Sequence, residues 1–278
     1  MSNKEVILCK KIFHSLAKAA ASTVHHDGVE HAGYMAFMTL LSLFPFLVFF
    51  VACAGFLGAS SVGVELLDVF MNRLPQNVMH AIAPRIKEII SGPPQSLMTI
   101  AIIGVIWTAS SSVEGLRTIL NRVHEVRTPP KYIFRRMLSI VQFLILTAFL
   151  TITMFLFVFI PILLKKLPTI FNINYMNSTF DNVLSYSVAI TVLLTFVASL
   201  YYYVPNLKMR WRAVLPGAVL VVVLWYLSGV ALSVYIENFR QLSLVYGSLG
   251  GVIVTLLFFY IVNLIFIFGA EFNHYLSK

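Results

Sequence analysis

The sequence predicts an all-α integral membrane protein, a polytopic bundle of six transmembrane helices with both termini in the cytoplasm. Three observations carry the prediction. Six apolar stretches, Phe37–Leu57, Leu97–Val113, Met137–Leu164, Val183–Val204, Ala213–Tyr235 and Leu242–Ala270, contain almost no charge. A helix rises about 1.5 Å per residue, so roughly 20 residues cross a hydrocarbon core of about 30 Å, and each stretch is near or above that length. Composition agrees: 59% of residues are hydrophobic and 11% charged, against about 25% charged in a soluble domain, and mean hydropathy is +0.87. Finally, the basic residues are unevenly placed. The N-terminus, 114–136, 205–212 and the C-terminal tail hold 14 of the 20 Lys and Arg residues. The positive-inside rule puts that set of loops in the cytoplasm.

With six spans in 278 residues, little chain remains for a separate soluble domain. The reading is one integral membrane domain, 1–278, made of a cytoplasmic amphipathic helix within 1–33 and a transmembrane bundle over 34–278. The formal charge of +9 follows from the cytoplasmic loops, where it attracts anionic headgroups. Membrane lipids are therefore the expected partners, and a homo-oligomer is compatible with the pattern. Nucleic acid is not expected, because no basic stripe interleaved with stacking aromatics occurs. Cys9 and Cys53 fall on opposite sides of the interface and cannot pair, so no disulfide framework or cysteine metal site is expected. The first 30 residues lack a continuous apolar core and a small-residue cleavage site, so no cleavable signal is read there.

Residues 4–24 predict an amphipathic helix, with Lys4, Lys11 and Lys18 every seven residues. It either lies on the bilayer surface or packs on the ends of the spans. In the first span Pro45 predicts a kink, with Thr39 and Ser42 hydroxyls able to satisfy freed backbone groups. Residues 59–96 predict two short amphipathic helices on the outer face, separated at Pro75. The second span ends in Ser110, Ser111 and Ser112, small hydroxyl residues that let helices approach closely. Beyond it, Glu114 and Arg117 are an i, i+3 pair on a charged, solvated helix that also carries Arg122 and is expected to run on until Thr128-Pro129-Pro130.

Tyr201-Tyr202-Tyr203 with Trp211 predict an aromatic belt, while Trp225 and Tyr226 read as packing residues. Gly247 and Gly251 form a GxxxG, which predicts a close helix contact. Asn263 stands mid-helix and needs a partner on another helix. Glu271 ends a run of 29 uncharged residues. A carboxylate there is costly unless paired or wetted. It either pins the last helix to Arg117 or Arg122, or forms a gate or proton-coupled site with Asn273 and the hydroxyls of Ser110–Ser112.

His25-His26-Asp27, with Glu30 and His31, is the one metal-like cluster, but a zinc site wants three or four converging ligands, and no distant group completes it. No metal, cofactor or catalytic residue is therefore assigned. P-loop, GxSxG and HExxH motifs are absent.

Tyr34-Met35-Ala36-Phe37 running into Ser42-Leu43-Phe44-Pro45, Leu120-Asn121-Arg122 followed by Arg127, and Tyr246-Gly247-Ser248-Leu249-Gly250-Gly251 with Gly269-Ala270-Glu271-Phe272-Asn273 resemble the YihY/BrkB family of bacterial inner-membrane proteins. The likeness runs from about Asp27 to Asn273. It implies a multi-pass protein of the bacterial inner membrane. An older family label, ribonuclease BN, implies nuclease activity, yet the chain carries no nuclease-like array of His and Asp. Helix breakers at Pro45, Pro161, Pro205 and Pro216 and polar residues inside the spans suit moving helices. The expected function is transport or flipping of a lipid-like or envelope component, and the alternative is a non-transporting envelope scaffold; neither is an enzyme.

Overall fold

The computed structural model describes residues 3–42, 95–126, 131–171, 178–207, 209–238 and 248–278. Among these every regular element is helical. In chain order they are α1 (Asn3–His25), α2 (28–42), α3 (Gln95–Val123), α4 (Tyr132–Phe171), α5 (Ser178–Tyr203), α6 (Trp211–Asn238) and α7 (Ser248–Ser277). Each predicted apolar stretch thus contributes helix where it is described. Among the described residues three segments are long and apolar enough to cross a bilayer: Tyr132–Thr153, Trp211–Ile236 and Gly250–Ser277. Pro45, Gly247 and the two helices expected in 59–96, as far as residue 94, lie outside the described residues.

The chain folds as two compact units. One comprises Met1–Leu41, Ser110–Ser139 and Leu193–Lys278; the other comprises Ser42–Ala109 and Ile140–Val192. In the first unit α7 packs against both α1 and α6. Its buried face, Asn263, Ile267, Ala270 and His274, follows the i, i+4, i+7 spacing of one helical stripe. On α6 the matching stripe is Val214, Ala218 and Val221, and on α1 it is Ser15, Ala19 and Ser22. The stripe on α1 is built of small residues, which bring helix axes close. The opposite side of α6 exposes Val219, Val223, Val230 and Val234, and the first turns of α7 expose Val252, Ile253 and Leu257. Apolar rows of that length are costly in water and are the ordinary lipid face of a membrane helix.

Helix caps close α1 about where it was expected to end and cut α3 short. α1 stops where Asp27 takes φ 54° and its N–H bonds the Val24 carbonyl at 3.2 Å. α3 stops at Val123, short of Thr128, because Glu125 turns to φ 53°. There Glu125 N–H bonds Arg122 O at 3.0 Å and Val126 N–H bonds Asn121 O at 2.9 Å, the paired closure of a left-handed helix cap. The prolines were expected to break helices. Instead α4 runs through Pro161 and α6 through Pro216, while Pro205 follows the end of α5 at Tyr203. Both prolines lie past the first turn, and a membrane helix continues through such a residue because neighbouring groups and local adjustment re-satisfy the freed carbonyl.

Candidate functional site

Arg117 is the largest fully buried side chain of the first unit, with 0% exposure. Its Nη1 donates to Glu114 Oε2 at 3.1 Å, Ser139 Oγ at 2.9 Å and the Arg135 carbonyl at 2.8 Å, while Nε donates to the Val204 carbonyl at 3.2 Å. Glu114 also pairs with Arg135 at 2.7 Å and accepts from Ser139 Oγ at 2.7 Å. The i, i+3 pair anticipated from spacing is present, but the helix around it is not solvated. Arg117 instead joins α3 to the start of α4 and the end of α5. Burial lowers the pKa of the guanidinium and the nearby Glu114 carboxylate raises it; arginine keeps its proton throughout. On the neighbouring turn Ser111 Oγ accepts from Arg136 at 3.1 Å and Ser112 Oγ donates to the Met38 carbonyl at 3.1 Å. Ser110 is fully buried.

Glu271 is also fully buried. Neither expected arginine meets it, since Arg117 is held as above and Arg122 pairs with Asp27. Its partner is His26, whose Nδ1 lies 2.6 Å from Oε1. Ser22 Oγ is 3.2 Å from the same nitrogen and accepts from Tyr275 Oη at 3.3 Å. The second carboxylate oxygen, Oε2, is buried with no hydrogen-bond partner among the described residues. His26 thus has a site role that adjacency in the sequence did not suggest. Among the described residues no group of three or more His, Cys, Asp or Glu is placed to hold a metal.

Asn273 clamps α7 onto α6. Its Oδ1 accepts from Gly217 N–H at 2.6 Å and its Nδ2 donates to the Val214 carbonyl at 3.0 Å. A Cβ on Gly217 would collide with Asn273 and the Gly269 carbonyl, and one on Gly269 would collide with Val221 and Tyr201 Oη. The close crossing therefore belongs to Gly217 and Gly269. Gly251, expected to make such a contact, is exposed, with nothing among the described residues within 4 Å of a Cβ there, and its expected companion Gly247 lies outside the described residues. Tyr201, read as part of an interfacial belt, is buried and donates to the Phe266 carbonyl at 2.6 Å. Tyr202 and Trp211 stack at 4.8 Å, with Tyr203 exposed beside them, so two of the three tyrosines suit the belt. Trp225 packs as expected and bonds Val262 O at 2.9 Å, whereas Tyr226 is exposed. Asn263 finds its main partner on its own helix, the Phe259 carbonyl at 2.8 Å, with Thr39 Oγ1 on α2 at 3.5 Å.

Beside the Arg117 joint lies an open cleft of about 390 Å³ bounded by Glu30, His31, Tyr34, Glu114, Gly115 and Thr118. A Cβ on Gly115 would sit 2.8 Å from the Tyr34 ring, so glycine lets the ring lie against α3. From the cleft the exposed side chains of Phe37 and Leu41 continue along α2 at i+3 and i+7 from Tyr34. Past the end of α3, His124 lies edge-on to His274 with ring centroids 5.5 Å apart. Burial first, and His274 second, push its pKa from 6.5 down to about 4.

A helical protein with lipid-facing apolar helices and a buried polar joint is, by class, an integral membrane protein rather than a solvated bundle. The chain belongs to the family described as Virulence factor BrkB, whose model matches residues 19–278. It is 31% identical over 263 residues, 91% of each chain, to a ribonuclease-like protein, YfkH, of Bacillus subtilis (strain 168). It is 26% identical over 260 residues to a UPF0761 membrane protein of Pseudoalteromonas atlantica (strain T6c / ATCC BAA-1087), covering 89% of this chain and 81% of that one. No solved structure matches.

Proposed function

We propose that the protein moves a lipid-like component of the envelope across the bacterial inner membrane, with both termini in the cytoplasm and no enzymatic step. One observation carries the reading: an open, mostly apolar cleft that has the Glu30, His31 and Glu114 side chains in its lining leads onto exposed Phe37 and Leu41 on one face of α2. A polar head in the cleft and an apolar tail along that face fit an amphipathic molecule, since a moving headgroup needs polar partners inside a helical membrane protein. The nuclease activity suggested by the name of the Bacillus relative gains nothing here. Glu114, Asp27 and Glu271 are each engaged by a basic partner, and of the two carboxylates that line the cleft, Glu30 and Glu114, the second is held by Arg117 and Arg135.

The test is lipid exchange in vesicles reconstituted with the purified protein, followed by chemical quenching of a fluorescent lipid in the outer leaflet. Exchange should exceed that of protein-free vesicles. Thr118→Trp should slow it about tenfold by filling the cleft, at little cost in stability because Thr118 is exposed. Folded protein that exchanges lipid no faster than empty vesicles would sink the reading. It would favour the scaffold, to which the static cage around Arg117 is equally suited.

A further inference from the structure

The partner of Glu271 decides what kind of contact it makes. An arginine would neutralise it permanently, because guanidinium keeps its proton at all ordinary pH values. Histidine is a cation only while it holds a proton, and it is the side chain that gains and loses one between about pH 5 and 8. Both arginines within plausible reach are committed elsewhere, Arg117 to Glu114 and Arg122 to Asp27. The carboxylate is 0% exposed, whereas His26 retains 20% of its side-chain surface. His26 is therefore the route by which a proton reaches the buried acid.

We propose that His26 and Glu271 form a proton-binding site that latches α1 to α7. With one proton the pair is neutral overall, whether the proton sits on the imidazole or on the carboxyl. Loss of that proton leaves a buried negative charge with no cation opposite it, and a lone charge out of water is strongly disfavoured. Oε2 has no hydrogen-bond partner among the described residues to help hold that charge, and the next neighbour that interacts with it electrostatically is the His274 imidazole. The docked arrangement then loses its advantage and α1 separates from α7.

The surroundings favour movement at this point. Besides the packing of the small-residue stripe Ser15, Ala19 and Ser22, the polar ties between α1 and α7 near the site are weak: Tyr275 Oη to Ser22 Oγ at 3.3 Å, and Lys18 over the Tyr275 ring at 6.0 Å. The chain turns at Asp27, φ 54°, directly after His26, so α1 meets α2 at a joint rather than in a continuous helix. Other charges nearby are His25, whose ring lies 5.8 Å from that of His26, the Asp27–Arg122 pair, and His274, Glu125 and Lys278. His124 titrates in the same neighbourhood, so the test compares variants with the parent over one pH range.

The test needs no transported substrate, so it can fail or succeed independently of lipid movement. Spin labels are placed on Cys9 and on Ser277→Cys, with Cys53→Ser, in the full chain in lipid nanodiscs. The distance distribution between α1 and α7 is measured from about pH 6 to about pH 8.5. The docked population should fall across that range. Glu271→Gln removes the charge that needs a proton, and His26→Arg supplies a cation that keeps its own. Each variant should remain docked throughout, and if one fails to fold the other decides. A parent distance that does not change with pH, or a variant that follows the parent curve, overturns the proposal.

Discussion

Arg117 shows how one residue can carry a whole joint. Its acceptors include Glu114, Ser139 and two backbone carbonyls, at the start of α4 and just beyond α5. A planar fork of donors meets that geometry, and a lysine ammonium cannot. Arg117→Ala should lower stability by about 3–5 kcal/mol, the usual cost of breaking a buried ionic network from one side. Arg117→Lys should recover only part of it. Denaturation of the detergent-solubilised protein measures both, and an alanine variant within about 0.5 kcal/mol of the parent would mean that the cage is incidental. The Glu114–Arg117 pair was legible in the sequence because i, i+3 spacing is local. Its burial was not, since that depends on Ser139, the Arg135 carbonyl and the Val204 carbonyl, up to 87 positions away. Glu271 was legible in the same limited sense: a lone carboxylate after a long apolar run demands a partner, but nothing local says that the partner is His26, 245 positions distant.

Among elements, the crossing of α6 and α7 is the sharpest case of pattern and packing disagreeing. The GxxxG at Gly247 and Gly251 is a familiar sign of close approach, yet none of the described residues comes within 4 Å of a Cβ on Gly251. Gly217 and Gly269 lie on different helices, so no spacing rule reads them as a pair. They meet because Asn273 pulls the backbone of α6 in, through Gly217 N–H and Val214 O. Gly217→Leu should therefore prevent a stable fold, as overpacking at a backbone contact has no flexible neighbour to absorb it. Gly251→Leu should stay within about 0.5 kcal/mol of the parent. Expression yield and thermal melting of the two variants measure this, and a reversal of their order would place the close contact back at the GxxxG. Tyr201 was misread for a related reason. Three consecutive tyrosines point in three directions on a helix, so one falls inward to Phe266 while Tyr203 stays exposed.

At the scale of the whole molecule, apolar length located the helices, while charge supplied the orientation. The two kinds of information are independent: a helix of the right length crosses in either direction, and only the loops break the tie. The basic joint built from Arg117, Arg135 and Arg136 belongs to the set of loops assigned to the cytoplasm, as do α1 and the last turn of α7. His26, Glu271, Glu125 and Lys278 are linked directly across those elements, so any orientation must put them on one side together. Membrane-impermeant thiol labelling of intact cells provides the test, using single cysteines in a background lacking Cys9 and Cys53. Asn238→Cys, at the end of α6, should react from outside. Glu125→Cys and Asn206→Cys should react only after the membrane is opened. Asn206 N–H is bound to Asn121 Oδ1 at 2.8 Å, so those two positions report on one surface and must agree. Labelling of either from outside would reverse the charge-based orientation and place the His26 proton site on the opposite face of the membrane.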